Sequence, residues 1–202
     1  TSGFTIHTPG VAPRYERYQG EFPSSTESAR RFERMLWFFH AGDAKYDPIY
    51  GIYRREKLMR SGRLRPNERT DWLLSAELAL LAPIVHIDEL LAHRTSTYPR
   101  GIDRAAFRRR LDPVQAERLK TSPARLSRDL YALARSASLT DAQLRCCRRA
   151  VGRFWAREVV RCSRMRLSDT VHRASPELAA RLIDLRERYR AHRGGARTRL
   201  ER

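Results

Sequence analysis

The chain has 202 residues, enough for one domain with a real core or a domain plus a helical appendage, and too few for two full enzyme domains. Its formal charge of +18 comes from 41 basic and 23 acidic residues, and all the basic residues except Lys45, Lys57 and Lys120 are arginine. No apolar run approaches the ~18 residues of a membrane span and the start carries no signal-peptide pattern; Cys146, Cys147 and Cys162 lack the paired spacing of a zinc site or disulfide framework, so the expectation is a soluble chain in a reducing cytosol.

The charge is unevenly spread. Residues 1–100 hold 15 basic and 12 acidic side chains, whereas residues 101–202 hold 26 and 11. The second half should therefore attract polyanions: nucleic acid, anionic lipid headgroups or phosphorylated ligands.

Along residues 1–29, Gly3, Pro9, Gly10, Pro13, Gly20 and Pro23 break any long element and leave short strands and loops. From Ser28 to His40 the spacing predicts a helix with Phe32, Met35, Leu36 and Phe39 on one face and arginines on the other. Ile49, Tyr50, Ile52 and Tyr53 then suit a short strand interrupted by Gly51, which marks either a bulge or a close backbone approach by a ligand. Arg55 to Arg60 form a brief helix stopped by Ser61 and Gly62.

Residues 67–81 predict a helix built to be buried, with Trp72, Leu74, Leu78 and Leu81 flanked by Leu73 and Leu80. Its first turn carries one acid, Asp71. Thr70 is placed to cap the helix through its hydroxyl, and the helix dipole alone accounts for an acid at that position. Ile84 to Ile87 read as a strand, extended after a kink through Glu89 to Arg94. Strand, helix, helix, strand is α/β, with too few strands for a complete nucleotide-binding sheet.

Beyond Pro99 only helices are expected, at about 103–120, 124–138, 141–166 and 176–193. Thr140 and Gln143 form a capping box, and Leu144, Cys147, Val151, Phe154, Trp155 and Val159 make one apolar stripe. Residues 101–193 read as a basic helical extension and 194–202 as a disordered tail. The histidines share no metal-ligand spacing.

The order YDPIYGIYRREKL, RTDWLLSAELALL, IVHIDELLAHR is similar to the second half of inverting family-2 glycosyltransferases of the GT-A type, over about residues 28–100. The resemblance implies a partial GT-A-like catalytic half over residues 1–100, carrying the acceptor side, followed by the all-helical extension. It implies Asp71 as the base that takes the acceptor hydroxyl proton, although Thr70 stands where that family usually has Glu. It also implies Tyr50, Gly51 and Arg54 near the acceptor or donor pocket and Arg94 near the nucleotide phosphates. Solvated salt bridges are the other reading of Arg54 and Arg94.

No Gly-rich strand-to-helix turn and no Asp-x-Asp pair occur in the sequence, so a nucleotide-sugar donor and any divalent metal would have to be held outside these residues. The implied partners are a nucleotide sugar and a glycan or lipid-linked acceptor, with no metal or other cofactor held by this chain. Two readings from another class remain open, a non-catalytic basic helical protein binding nucleic acid or one lying on an anionic membrane surface. Arginines on all faces of the predicted helices and few interleaved aromatics argue against nucleic acid. The amphipathic pair 141–166 and 176–193 motivates a peripheral membrane contact.

Overall fold

The computed structural model describes residues 2–8, 10–16, 24–40, 51–62, 65, 67–95, 104–114, 116–175, 177 and 181. The fold is mixed α/β and mostly helical: β1 (Ser2–Thr8), β2 (Val11–Glu16), α1 (Ser28–Phe38), α2 (Arg55–Arg60), α3 (Thr70–Leu81), β3 (Ile87–Thr95), α4 (Arg104–Leu111), α5 (Ala116–Leu119), α6 (Pro123–Ser136) and α7 (Asp141–Ala174). Two compact units divide it, residues 1–157 and residues 158–202.

In the first unit the sheet has the order β2-β1-β3. β1 and β2 are antiparallel and turn at Gly10, whose φ of 74° lies in the left-handed region that glycine enters at little cost. β1 and β3 are parallel, with Thr5 opposite His93 and Ile6 opposite Arg94. A parallel pair needs a crossover, and α1, α2 and α3 all lie in the chain between these strands.

The predicted strand at 49–53 does not form over its described part. Residues 51–54 belong to no element, Ile52 is wholly exposed, and the sheet is completed by β1, β2 and β3 instead. Residues 49 and 50 lie outside the described residues. The strand expected at Ile84 begins three residues later, at Ile87.

α1 packs on α3, and α3 on α6. Phe32, Met35 and Phe38 of α1, Leu73 and Ala76 of α3, Leu126 and Leu130 of α6, and Cys147 and Phe154 of α7 share one apolar core. Each large side chain so buried contributes about 2–3 kcal/mol. The core therefore takes residues from both sides of position 100, where the sequence placed a boundary, because α6 and the start of α7 cover the apolar faces that α1 and α3 present.

The stretch expected over 103–120 is two helices, separated at Pro113 as its sequence marks, and there Asp112 Oδ1 accepts from the Val114 N–H at 3.0 Å. One further detail departs from the sequence reading. Trp155, placed in the core stripe, is 47% exposed, and Ala150 is buried. The capping box at α7 forms: Thr140 N–H donates to Gln143 Oε1 (2.9 Å), and Gln143 N–H to Thr140 Oγ1 (3.3 Å).

In the second unit α7 continues to Ala174. There Glu158, 4% exposed, takes both Nε (2.8 Å) and a terminal nitrogen of Arg161, which holds that guanidinium above its ordinary pKa. Most of the helix predicted at 176–193, and the tail 194–202, lie outside the described residues. Among the described residues no helix is long and apolar enough to cross a membrane.

Candidate functional site

Asp71 owes its position to the turn that opens α3. Asn67, 4% exposed, accepts at Oδ1 from the Arg69 N–H and from the Thr121 hydroxyl, each at 2.8 Å, while its Nδ2 lies 3.5 Å from Asp129 Oδ2. The first of these bonds makes a side-chain turn that folds the chain into the helix. Next to it the Glu68 N–H donates to the Leu119 carbonyl at 3.0 Å, and the Glu68 carboxylate pairs with Arg108 at 3.0 Å with both side chains about nine-tenths buried. The entry to α3 is thereby fastened to α4, α5 and α6.

That turn corrects the expected cap. Arg69, not Thr70, is the N-cap residue, and its side chain makes no capping bond. The Asn67 turn starts the helix one residue early, and the Thr70 hydroxyl accepts instead from the Arg65 N–H at 2.8 Å. Asp71 follows in the first turn, half-buried, where the helix dipole favours its negative charge. The next five residues, Trp72 to Ala76, are all buried.

Further along α3, Glu77 receives Arg65 at 3.2 Å and the Gly62 N–H at 3.0 Å. A Cβ at position 62 would stand 2.4 Å from an Arg65 terminal nitrogen, so glycine there lets the guanidinium reach Glu77. On the other side Trp72 stacks on Phe39, ring centroids 4.6 Å apart and nearly parallel, with Phe154 edge-on to both. The Arg69 guanidinium lies 4.4 Å from the centre of the Trp72 ring, a cation–π contact next to Asp71. The i, i+3 spacing of Arg69 and Trp72 at a helix start was the signal for it, unread at the sequence level.

The C-terminal end of α3 is closed by Arg31, a buried residue that the sequence reading put on the exposed face of α1. Its Nε donates to Ala79 O (2.7 Å), its terminal nitrogens to Leu80 O (3.1 Å), Ser25 O (2.8 Å), Thr26 O (2.7 Å) and Ser28 Oγ (3.0 Å). All five N–H groups are used, without any carboxylate. Burial pulls this guanidinium below its ordinary pKa.

Gly51 and Arg54 precede α2; Arg54 is exposed, and no hydrogen bond or ion pair joins its side chain to Asp71. Arg94 is in β3 opposite Ile6, and Tyr50 lies outside the described residues. Among the described residues no three His, Cys, Asp or Glu side chains gather where they could hold a metal ion. Comparison with models of known protein families, with curated protein sequences and with solved structures gives no match.

Proposed function

We propose that these residues form the acceptor-side part of an inverting glycosyltransferase, with Asp71 as its base. The observation that carries the reading is a half-buried carboxylate held at the start of a helix whose next five residues are buried. Its sequence setting resembles the aspartate-led helix of the GT-A family-2 enzymes. A carboxylate fixed by a rigid element, yet open to solvent, suits proton abstraction from an acceptor hydroxyl.

In the proposed reaction the acceptor oxygen forms its bond to the anomeric carbon as Asp71 removes the hydroxyl proton. The bond to the departing nucleoside diphosphate breaks on the opposite face, and the electron pair leaves with the diphosphate. Arg54, exposed and without an ion-pair partner among the described residues, is available to a substrate anion. Donor binding, with any divalent cation it uses, falls to a part outside these residues.

The test is made in a protein that joins this chain to its donor-binding part, by following nucleoside diphosphate release from a panel of nucleotide sugars with glycan and lipid-linked acceptors. Asp71→Asn should lower turnover about 10²–10⁴-fold while the circular dichroism spectrum is kept and stability falls by no more than the roughly 0.3–1 kcal/mol of the lost helix-dipole interaction. Turnover close to that of the unsubstituted protein would remove Asp71 from the role of base.

A further inference from the structure

Between α6 and α7 the first unit leaves an open groove of about 390 Å³, within the ~300–1,000 Å³ range of small-ligand sites. Arg128 and Tyr131 come to it from α6, and Arg148, Gly152 and Trp155 from α7, with Ser127 in its wall. The α7 residues share a face because they recur at four and three positions. Each brings a property that the packing of the domain leaves unused.

Trp155 is 47% exposed, an uncommon setting for a large ring in a helix that buries Cys147, Ala150, Val151 and Phe154. Arg148 has no ion-pair or hydrogen-bond partner among the described residues, and the exposed Arg128 reaches only its neighbour Asp129, at 3.8 Å. At Gly152 a Cβ would meet no atom within 4 Å, so the space over the helix is empty there. Ser127 is 8% exposed and its hydroxyl has no hydrogen-bond partner among the described residues, although a buried hydroxyl is costly to leave unpaired.

The composition of the wall selects the ligand. The wall surface is mostly apolar, and its residues carry two aromatic rings, the Val151 side chain, two guanidinium groups and two hydroxyls, with no carboxylate or amide. A cation needs an anion, and a purely apolar ligand would leave both arginines unanswered. A flat ring carrying a phosphate answers both features: the ring stacks on the aromatic side chains and the phosphate takes the guanidinium N–H groups.

We propose that the α6–α7 groove binds a nucleoside phosphate, its base against Trp155 and Tyr131 and its phosphate at Arg148 and Arg128. This site shares no residue with the Asp71 arrangement and does not rest on the glycosyltransferase reading.

The test is calorimetric titration of the full 202-residue chain with AMP, UMP, adenosine and inorganic phosphate, with tryptophan fluorescence as a second readout. AMP or UMP should bind at least tenfold more tightly than adenosine or phosphate alone. Trp155→Ala and Arg148→Ala should each weaken that binding about tenfold or more. Both side chains are exposed, so these variants should keep the parent circular dichroism spectrum and melting point.

A short oligothymidylate arm separates a free nucleotide from a nucleotide within a strand. Tighter binding of the oligomer, lost in the same two variants, would identify a single strand as the source of the ligand. Asp71→Asn should leave AMP affinity unchanged. No saturable binding of either mononucleotide below about 10 mM, or undiminished affinity in both groove variants, overturns the proposal.

Discussion

Arg31 shows how much one buried side chain can organise. The last carbonyls of any helix have no partner within it, and here Arg31 answers two of them while also tying down residues 25, 26 and 28. Arg31→Met keeps the aliphatic bulk and removes all five donors, so it should cost about 3 kcal/mol or more, read as a lower urea midpoint. Arg54→Ala, at an exposed residue without an ion-pair partner, should change stability by less than about 0.5 kcal/mol. If the proposed role holds, it should nonetheless reduce sugar transfer. Ser127→Ala removes a buried hydroxyl that has no hydrogen-bond partner among the described residues and should stabilise the chain by about 1 kcal/mol, read as a higher melting temperature. Burial, assisted by Cys146 and Glu33, pushes the Cys147 thiol up from 9.0 to about 11. Between pH 9 and about 11 the unfolded chain has released a proton that the folded chain still holds, so stability falls with rising pH across that window. The difference from Cys147→Ala should shrink over the same range by on the order of 2–3 kcal/mol, measured by urea unfolding. In the sequence Arg31 was one arginine among many, since nothing local separates a guanidinium that meets carbonyls 48 residues away from one that meets water.

At the scale of elements, legibility followed periodicity. α1, α3, α6 and the start of α7 were readable because their apolar residues recur with the helical repeat, and the ends of α6 and α7 carried explicit capping chemistry. Ser122 accepts from the Arg125 N–H at 3.1 Å, and Thr140 pairs reciprocally with Gln143. Thr140→Ala should therefore cost about 1 kcal/mol, seen in the thermal melt. The start of α3 lies one residue earlier than expected because of a local turn, Asn67 with Arg69, and the contacts that fasten it, Asn67 with Thr121 and Glu68 with Arg108, are long-range. Arg108 is a demanding partner: its Nε has no hydrogen bond among the described residues, so its stability leans on Glu68 and, at 3.9 Å, Glu117. Removing the carboxylate in Glu68→Ala strands a buried charge and should cost about 3–5 kcal/mol by chemical denaturation. The failed strand at 51–53 illustrates the reverse error, since β-branched and aromatic residues make a strand only when a neighbouring strand supplies hydrogen bonds.

For the whole molecule, the change from mixed elements to helices after Pro99 was visible, but it does not divide the core. Leu126, Leu130, Cys147 and Phe154 complete the surface that Phe32 and Leu73 begin. A chain cut after residue 100 should lose cooperative unfolding, whereas residues 1–157 should retain it, as differential scanning calorimetry would show. The candidate site was half legible for a related reason: Asp71 announced itself through an apolar helix, whereas the α6–α7 groove exists only once two helices meet. The parallel pairing of β1 with β3 carries one more consequence, for synthesis in the cell. β1, the central strand, emerges about eighty residues before its edge partner β3, a delay of roughly 4–16 s at ribosomal speeds of about 5–20 residues per second. Through that interval the sheet of a nascent chain is the β1–β2 ribbon alone, and the β1 edge that β3 later covers must be kept from neighbouring polypeptides until the crossover closes.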